Sequence, residues 1–299
     1  MVVGHFPLQN KTCVITGGGS GINLAFVKLA VEKHNCRCLI ADLKLTPEAE
    51  NLCKKHPNLI AFTRCDVTKW SDLEALPSQL KVSKKEIDRR KREQHIWIAG
   101  AGIFDGSAFF YNDPKDTTSY LSLRINAEHP IKLTRIAMRS ACAANRPAVI
   151  LIVSSLAGIC GQYASALYCA SKHAVVGFTK SMMQADRDED VKVVCILPGM
   201  VATPLWTGRE ARREFEQFGY SEEQCLSAEE VAEGMREMIV SEEWEGGSLM
   251  GIEKGGGGLR QRLESRQGID VEGEGMEGWV EHAYEPIRAV LRRERGVKL

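Results

Sequence analysis

Tyr168 and Lys172 lie four residues apart, a spacing that on a helix places both side chains on one face. A phenol titrates near ~10 and is a poor base at neutral pH. A nearby ammonium group favours the phenolate, and proton transfer is most efficient when the pKa lies near the operating pH. The pair can therefore exchange protons with a substrate, although an ordinary amphipathic helix has the same spacing.

Two further motifs accompany this pair. Ser155 follows the apolar run of residues 148–153, thirteen residues before Tyr168. Residues 16–22 read Thr-Gly-Gly-Gly-Ser-Gly-Ile, after another apolar run and before a segment with helical apolar spacing. A strand, a glycine turn and a helix form a dinucleotide cradle, because glycines let the backbone approach the pyrophosphate and the helix N-terminus presents free N–H groups.

Together these motifs resemble the short-chain dehydrogenase/reductase (SDR) family, whose signatures are TGxxxGxG, a catalytic asparagine, a serine and YxxxK. The resemblance covers roughly residues 9–256. It implies a catalytic set of Asn126, Ser155, Tyr168 and Lys172. It implies cofactor contacts at Gly17, Ser20, Gly21, Ile22, Asp66, Tyr168, Lys172, Val201 and Thr203. From the residues alone, Asn126 is also explained as a mid-helix asparagine that makes local hydrogen bonds.

The chain departs from the family pattern in two places. Asn23 replaces the third glycine of the turn, and we expect its side chain to crowd the contact between helix and strand. Ala99 and Gly100 replace two asparagines that commonly brace the sheet and line the cofactor cleft. We therefore expect cofactor binding to be kept but weakened or repositioned.

The choice between NAD and NADP depends on Asp42, which ends the second apolar strand about 20 residues after the glycine turn. A carboxylate there accepts hydrogen bonds from the adenosine ribose hydroxyls. It would repel the 2′-phosphate of NADP, and only Lys44 offers a nearby positive charge. The sequence therefore predicts NAD, with NADP the less favoured cofactor. The alternative is a surface aspartate at a strand end.

Composition excludes several function classes. Lys plus Arg and Asp plus Glu both number 39, so no net charge attracts nucleic acid or a membrane surface. The ten cysteines have no metal-ligand spacing and are expected to be buried free thiols in a reducing compartment. No apolar run is long enough to cross a membrane, and residues 1–10 have no secretory pattern. We expect a cytoplasmic protein without a metal.

Buried strands alternate with helical segments along residues 11–253. This order predicts one doubly wound α/β domain of Rossmann type, with about seven parallel strands. The predicted domain is 1–256, with a substrate lid at about 204–225 and a charged, partly helical extension at 257–299. In the lid, Leu205, Trp206, Phe215 and Phe218 are candidate substrate contacts, with core packing as the alternative. We expect every strand to precede residue 259.

The SDR resemblance implies an oxidoreductase that transfers hydride between NAD(H) and a small secondary alcohol or ketone. Within the family, residues 168–180 are most similar to 15-hydroxyprostaglandin dehydrogenases and related enzymes of lipid and natural-product metabolism. A homodimer or homotetramer is expected. Two alternatives remain: a non-redox isomerase or cyclase on the same scaffold, and a nucleotide-sensing binding protein.

Overall fold

The computed structural model describes residues 2–79, 95–104, 109, 119–207, 225–254, 260–263 and 277–296. In these residues one sheet has the strand order β3-β2-β1-β4-β5-β6-β7-β8. The strands are β1 (Thr12–Thr16), β2 (Arg37–Asp42), β3 (Ile60–Arg64), β4 (His95–Ala99), β5 (Ala148–Val153), β6 (Val191–Pro198), β7 (Leu249–Ile252) and β8 (Arg260–Leu263). The first seven strands run parallel to one another, which confirms the predicted doubly wound α/β fold.

Helices cover both faces of the sheet. In the described parts of the chain they are α1 (Gly21–His34), α2 (Pro47–Lys55), α3 (Trp70–Gln79), α4 (His129–Ala144), α5 (Ala166–Ser181), α6 (Met183–Glu189), α7 (Pro204–Thr207), α8 (Ala228–Val240) and α9 (Glu277–Glu294). None of these helices combines the length and apolar composition that a bilayer span requires. The basic segment 81–92 lies outside the described residues.

The strands alternate between two cores because successive side chains point to opposite faces of a sheet. In β1, Cys13 and Ile15 pack in the core formed with α1 and α8, whereas Val14 packs in the core formed with α3, α4 and α5. Burial on both faces explains why the central strands are almost continuously apolar. Because both faces of the sheet are packed, the ends of the strands are held in place. The functional side chains lie at or after these ends.

The C-terminal segment contributes to the sheet. Strand β8 pairs with β7 in the antiparallel sense, so the prediction that every strand precedes residue 259 is wrong. The physical reason is that β7 would otherwise present an unpaired edge. Helix α9 packs against α4, with Leu291 buried between them. The domain boundary at 256 stays a prediction.

Candidate active site

A cleft of about 650 Å³ opens where the strand order reverses, between β1 and β4. Its lining includes residues at or just after the carboxyl ends of all seven parallel strands, β1 to β7. Ligands of open α/β sheets bind at this switch point. The topology therefore brings together residues that are far apart in sequence, including Gly17, Asp42, Ser155, Tyr168 and Val201.

The glycine turn forms one end of the cleft and suits an anionic group. Gly17 and Gly21 have φ values of 69° and 55°, in the left-handed region that favours glycine. The Ser20 side chain does not cap α1, and the first turn of α1 contains no acidic residue. The positive end of the helix and its free N–H groups are therefore available to a pyrophosphate. Ile22 also lines this end of the cleft.

Asp42 holds the glycine turn from the end of β2. Its Oδ2 accepts a hydrogen bond from the Gly19 N–H at 2.9 Å, and its Oδ1 accepts one from the Leu43 N–H at 2.7 Å. A carboxylate has about four lone-pair sites, so it can accept further hydrogen bonds from ribose hydroxyls. Lys44 is exposed and does not line the cleft, whereas Asp42 does.

The remaining predicted cofactor residues line two other walls of the cleft. Asp66 follows β3, and its Oδ1 accepts hydrogen bonds from the hydroxyl and the N–H of Thr68, at 2.7 and 3.1 Å. The hydroxyl bond is the main reason that the pKa of Asp66 is lowered. Val201 and Thr203 follow β6 and are both buried. Thr203 packs against the glycine turn, because a Cβ added at Gly21 would lie 3.4 Å from its Cβ.

Ser155, Tyr168 and Lys172 line the same cleft, from the end of β5 and the first half of α5. The Ser155 hydroxyl accepts a hydrogen bond from the Ala157 N–H at 3.2 Å and donates one to the Pro198 carbonyl at 3.4 Å. Lys172 Nζ lies 5.6 Å from the centre of the Tyr168 ring. The structure therefore brings together three of the four predicted catalytic residues.

Lys172 is buried, and its ammonium group donates to the Val153 carbonyl at 3.1 Å. Burial lowers its pKa to about 8, because desolvation disfavours the charged form. The amine is still mainly protonated at pH 7 and can stabilise a phenolate on Tyr168. The arrangement supports proton exchange at the Tyr168 oxygen.

Asn126 lies behind the cleft and is not among its lining residues. It occupies a π-helical turn, Arg124–Glu128, that leads into α4. Its Oδ1 accepts from the Ile103 N–H, and its Nδ2 donates to the Ile103 carbonyl, both at 2.9 Å. A Cβ added at Gly102 would lie 3.3 Å from Asn126 Oδ1 and 3.6 Å from Lys172 Nζ, so these two groups flank one point of the backbone. A role for Asn126 in a proton relay stays a prediction.

The expected crowding at Asn23 is wrong. Its Nδ2 donates hydrogen bonds to the carbonyls of Gly17, at 3.2 Å, and Gly100, at 2.9 Å. The space that its side chain needs is left open by the missing side chain of Gly100. The two departures from the family pattern thus occur at one contact.

Sequence reasoning missed His129, a fully buried residue three positions after Asn126. Its Nε2 lies 3.0 Å from the Thr16 hydroxyl, which in turn accepts the Gly100 N–H at 3.1 Å. Burial lowers the pKa of His129 to about 4, so the ring is neutral at pH 7. Its Nδ1 then donates to the Ile125 carbonyl, 3.1 Å away. Its Nε2 faces the Thr16 hydroxyl, whose proton also points to the Ile98 carbonyl at 3.1 Å. A histidine one helical turn beyond the predicted catalytic asparagine was the available signal.

Sequence reasoning also missed Phe104, whose ring meets the Tyr168 ring edge to face, with centroids 4.8 Å apart. The other side of Phe104 faces Trp206, again with centroids 4.8 Å apart. Leu205 and Trp206 line the cleft, whereas the lid at about 204–225 stays a prediction. Phe215, Phe218 and most of the predicted lid, from 208 to 224, lie outside the described residues. The wall beside Tyr168 is therefore largely apolar and aromatic.

Comparison with known proteins agrees with this geometry. Residues 11–214 match the family model described as short chain dehydrogenase. Momilactone A synthase of Oryza sativa subsp. japonica is 30% identical over 66% of this chain and 69% of its own length. The 3beta-hydroxysteroid dehydrogenase 2 of Eggerthella lenta is 29% identical over 68% of this chain and 76% of its own length.

A solved structure of a short chain dehydrogenase/reductase from Burkholderia phymatum, in complex with NAD, has the same fold. It superposes with a TM-score of 0.67 at 21% identity, over 78% of this chain and 87% of that chain. Its likeness concerns the fold, whereas the family model covers the glycine turn, the serine and the Tyr–Lys pair. The chain therefore belongs to the short-chain dehydrogenase family.

Proposed function

We propose that this protein is an oxidoreductase that transfers hydride between NAD(H) and a secondary alcohol or ketone of a lipid-like or natural-product metabolite. One observation carries the proposal. Ser155, Tyr168 and Lys172 line a single cleft whose far end is formed by the glycine turn and Asp42. A protein that only sensed a nucleotide would have no use for that catalytic set beside its binding site.

NAD, when bound, supplies the nicotinamide carbon that accepts or donates the hydride. The glycine turn and α1 N-terminus would hold the pyrophosphate, and Asp42 the adenosine ribose. Asp66 would lie near the adenine, with Val201 and Thr203 at the carboxamide of the nicotinamide. These assignments combine the family resemblance with the presence of all these residues along one cleft.

Tyr168 exchanges a proton with the substrate oxygen, taking it from an alcohol or giving it to the forming alkoxide. Lys172 keeps a positive charge near the phenol ring, which favours the phenolate. Its ammonium group would also hold the nicotinamide ribose when the cofactor is bound. Ser155 donates a hydrogen bond to the substrate oxygen, a contribution of oxyanion type. To do so its hydroxyl exchanges the long 3.4 Å bond to the Pro198 carbonyl for one to the substrate.

The substrate class follows from the wall beside Tyr168. Phe104 packs against the Tyr168 ring, and the lining of the cleft also includes the apolar side chains of Ile103, Leu156, Met200, Leu205 and Trp206. Such a wall favours a bulky apolar substrate with few polar groups. The names of two relatives, momilactone A synthase and 3beta-hydroxysteroid dehydrogenase 2, point the same way.

The test is a panel of apolar secondary alcohols and ketones, assayed with NAD(H) and NADP(H) by nicotinamide absorbance, on wild type and Tyr168→Phe. We expect turnover in the wild type and a loss of at least a hundredfold in Tyr168→Phe, about 2.7 kcal/mol of barrier, with NAD affinity unchanged. Tyr163→Phe is the matched control, since Tyr163 is 85% exposed and does not line the cleft.

Three outcomes would contradict the proposal or the role that it gives to Tyr168. Tight NAD binding without turnover on any member of the panel would favour a nucleotide-sensing protein. Conversion of a substrate without net change in nicotinamide absorbance would favour an isomerase or cyclase. Retention of activity within about tenfold of wild type in Tyr168→Phe would remove the phenol from the acid–base role.

A further inference from the structure

Asn23 and Gly100 meet at the floor of the cleft although 77 residues separate them. Asn23 is the third residue of α1, and Gly100 immediately follows β4. The side-chain amide of Asn23 is buried and uses both of its N–H groups, one on the Gly17 carbonyl and one on the Gly100 carbonyl. It therefore joins the glycine turn after β1 to the end of β4.

Gly100 is required by this contact. A Cβ added there would lie 2.2 Å from Asn23 Oδ1 and 2.5 Å from both Cγ and Nδ2 of the same side chain. The three nearest atoms all belong to Asn23, so the amide occupies the space that a side chain at position 100 would take. Asn23 Oδ1 is itself buried and accepts no hydrogen bond from the described residues, because it faces the Gly100 backbone.

The backbone at Gly100 is also held by a second side chain, that of Thr16 in β1. The Gly100 N–H donates to the Thr16 hydroxyl, and Thr16 is supported by His129. Gly17 also touches the residue after Gly100, since a Cβ at Gly17 would lie 2.7 Å from the Ala101 Cα. The separation of the two loops is thus set by direct backbone contact and by one amide side chain.

We propose that Asn23 and Gly100 form a matched pair that positions the two loops for the cofactor, with the asparagine bracing both from α1 and the glycine making room for it. This inference rests on the proposed function only in naming NAD as the ligand. In the family pattern, glycine stands at position 23 and asparagine at position 100. In this chain the amide comes from position 23, and position 100 is the glycine that leaves room for it.

The experiment compares wild type with Asn23→Ala, Asn23→Asp, Gly100→Ala and the double variant Asn23→Ala/Gly100→Ala. Asn23→Asp keeps the shape of the side chain but removes both donors. Gly177→Ala is the matched control for adding a methyl group, because a Cβ there meets nothing within 4 Å. Two quantities are measured: the free energy of urea unfolding without cofactor, and the Kd for NAD of the folded protein by calorimetry.

In unfolding, we expect Gly100→Ala alone to reduce the folding equilibrium constant about a hundredfold. In the Asn23→Ala background, Gly100→Ala should reduce the folding equilibrium constant by less than about tenfold. The reason is that the effects of two substitutions at contacting residues are not additive. In binding, Asn23→Ala and Asn23→Asp should each raise the Kd for NAD about tenfold, with KM for NAD rising more than kcat falls. A merely structural role would lower stability and leave the Kd of the folded protein unchanged.

Additive effects of the two alanine substitutions on unfolding would overturn the matched pair. An unchanged Kd for NAD in Asn23→Asp would overturn the positioning role. If wild type binds neither NAD nor NADP, the proposed function and the positioning role fail together, while the unfolding measurements still decide whether the two residues are matched.

Discussion

Lys172 is only 5% exposed, and burial lowers the pKa of its ammonium group from 10.5 to about 8. The change in pKa means that the folded protein destabilises the charged form of Lys172, relative to the neutral form, by about 3 kcal/mol. The charge is nevertheless present at neutral pH, 5.6 Å from the centre of the Tyr168 ring. At this residue the chain gives up stability to keep a cation beside the proposed proton-transfer group.

This balance predicts that Lys172→Met stabilises the protein at neutral pH. The gain should be about 1–3 kcal/mol at pH 7, after subtracting the lost hydrogen bond to the Val153 carbonyl. Between pH 8 and 10.5 the unfolded state binds a proton that the folded wild type does not, so wild-type stability rises and the gain shrinks. Urea unfolding at pH 7, 8.5 and 10 measures it, with Lys180→Met as the control on the same helix. A variant less stable than wild type at pH 7 would contradict the expectation.

Motif residues could be predicted because their spacing is local. Tyr168 and Lys172 share a helical face, and Ser155 follows an apolar strand, so type and spacing suffice. The role of Asn23 could not be predicted, because it depends on a glycine 77 residues away across the switch point. His129 and Phe104 were missed for the same reason: their partners, Thr16 and Tyr168, come from other elements.

Helix α9 is held to the domain by ion pairs as well as by Leu291. Arg135 of α4 pairs with Glu294, at 2.6 Å. Just beyond α9, Arg295 pairs with Glu189 of α6, at 3.0 Å. Glu189 is 6% exposed, and burial raises its pKa. The charge on this buried carboxylate therefore depends on Arg295 more than the charge on a surface carboxylate depends on its partner.

Arg295→Met should therefore destabilise the protein by about 3 kcal/mol at pH 8, since it leaves a buried carboxylate without its cation. The loss should shrink toward acid pH, because the folded variant then binds a proton at Glu189 and removes the unpaired charge. Arg293→Met, on an exposed position nearby, removes the same charge and should cost little. Urea unfolding at pH 8 and 5.5 tests this. Equal losses in the two variants would show that the C-terminal contact contributes only surface charge.

At the scale of the element, the alternation of apolar strands with helical segments predicted the parallel sheet. The start of α8 is fixed locally, because Ser227 forms a capping box with Glu230. Strand β8 was not predicted, because Arg260–Leu263 has no apolar alternation. Its pairing depends on the free edge of β7 rather than on its own sequence.

At the scale of the whole molecule, the cleft depends on both halves of the sheet. Residues after β1 and β2 form one end, and residues after β5 and β6 form the other. A ligand that spans the cleft therefore binds only when the whole parallel sheet is folded. Such a ligand stabilises the chain by RT ln(1 + [L]/Kd), about 2.7 kcal/mol at a hundredfold excess over Kd. Unfolding thus reports cofactor preference even before a substrate is known.

We expect NAD to raise the free energy of unfolding more than NADP at equal concentration. Asp42 is fixed by two backbone N–H groups at the end of β2, where a 2′-phosphate would bring like charges together in a partly desolvated cleft. Asp42→Ala should narrow the difference in stabilisation between NAD and NADP by at least about 1.4 kcal/mol, which is a tenfold change in the ratio of their Kd values. Lys54→Ala, on an exposed residue of α2 outside the cleft, is the control and should leave the difference between the two cofactors unchanged.

A larger stabilisation by NADP in the wild type, or no change in Asp42→Ala, would remove Asp42 from the ribose. Because Asp42 also accepts the Gly19 N–H, its loss loosens the glycine turn and should weaken both cofactors to a similar extent. Only the difference between them reports the charge. A fall in affinity for NAD together with a smaller fall, or a gain, for NADP is therefore the result that assigns the carboxylate to cofactor choice.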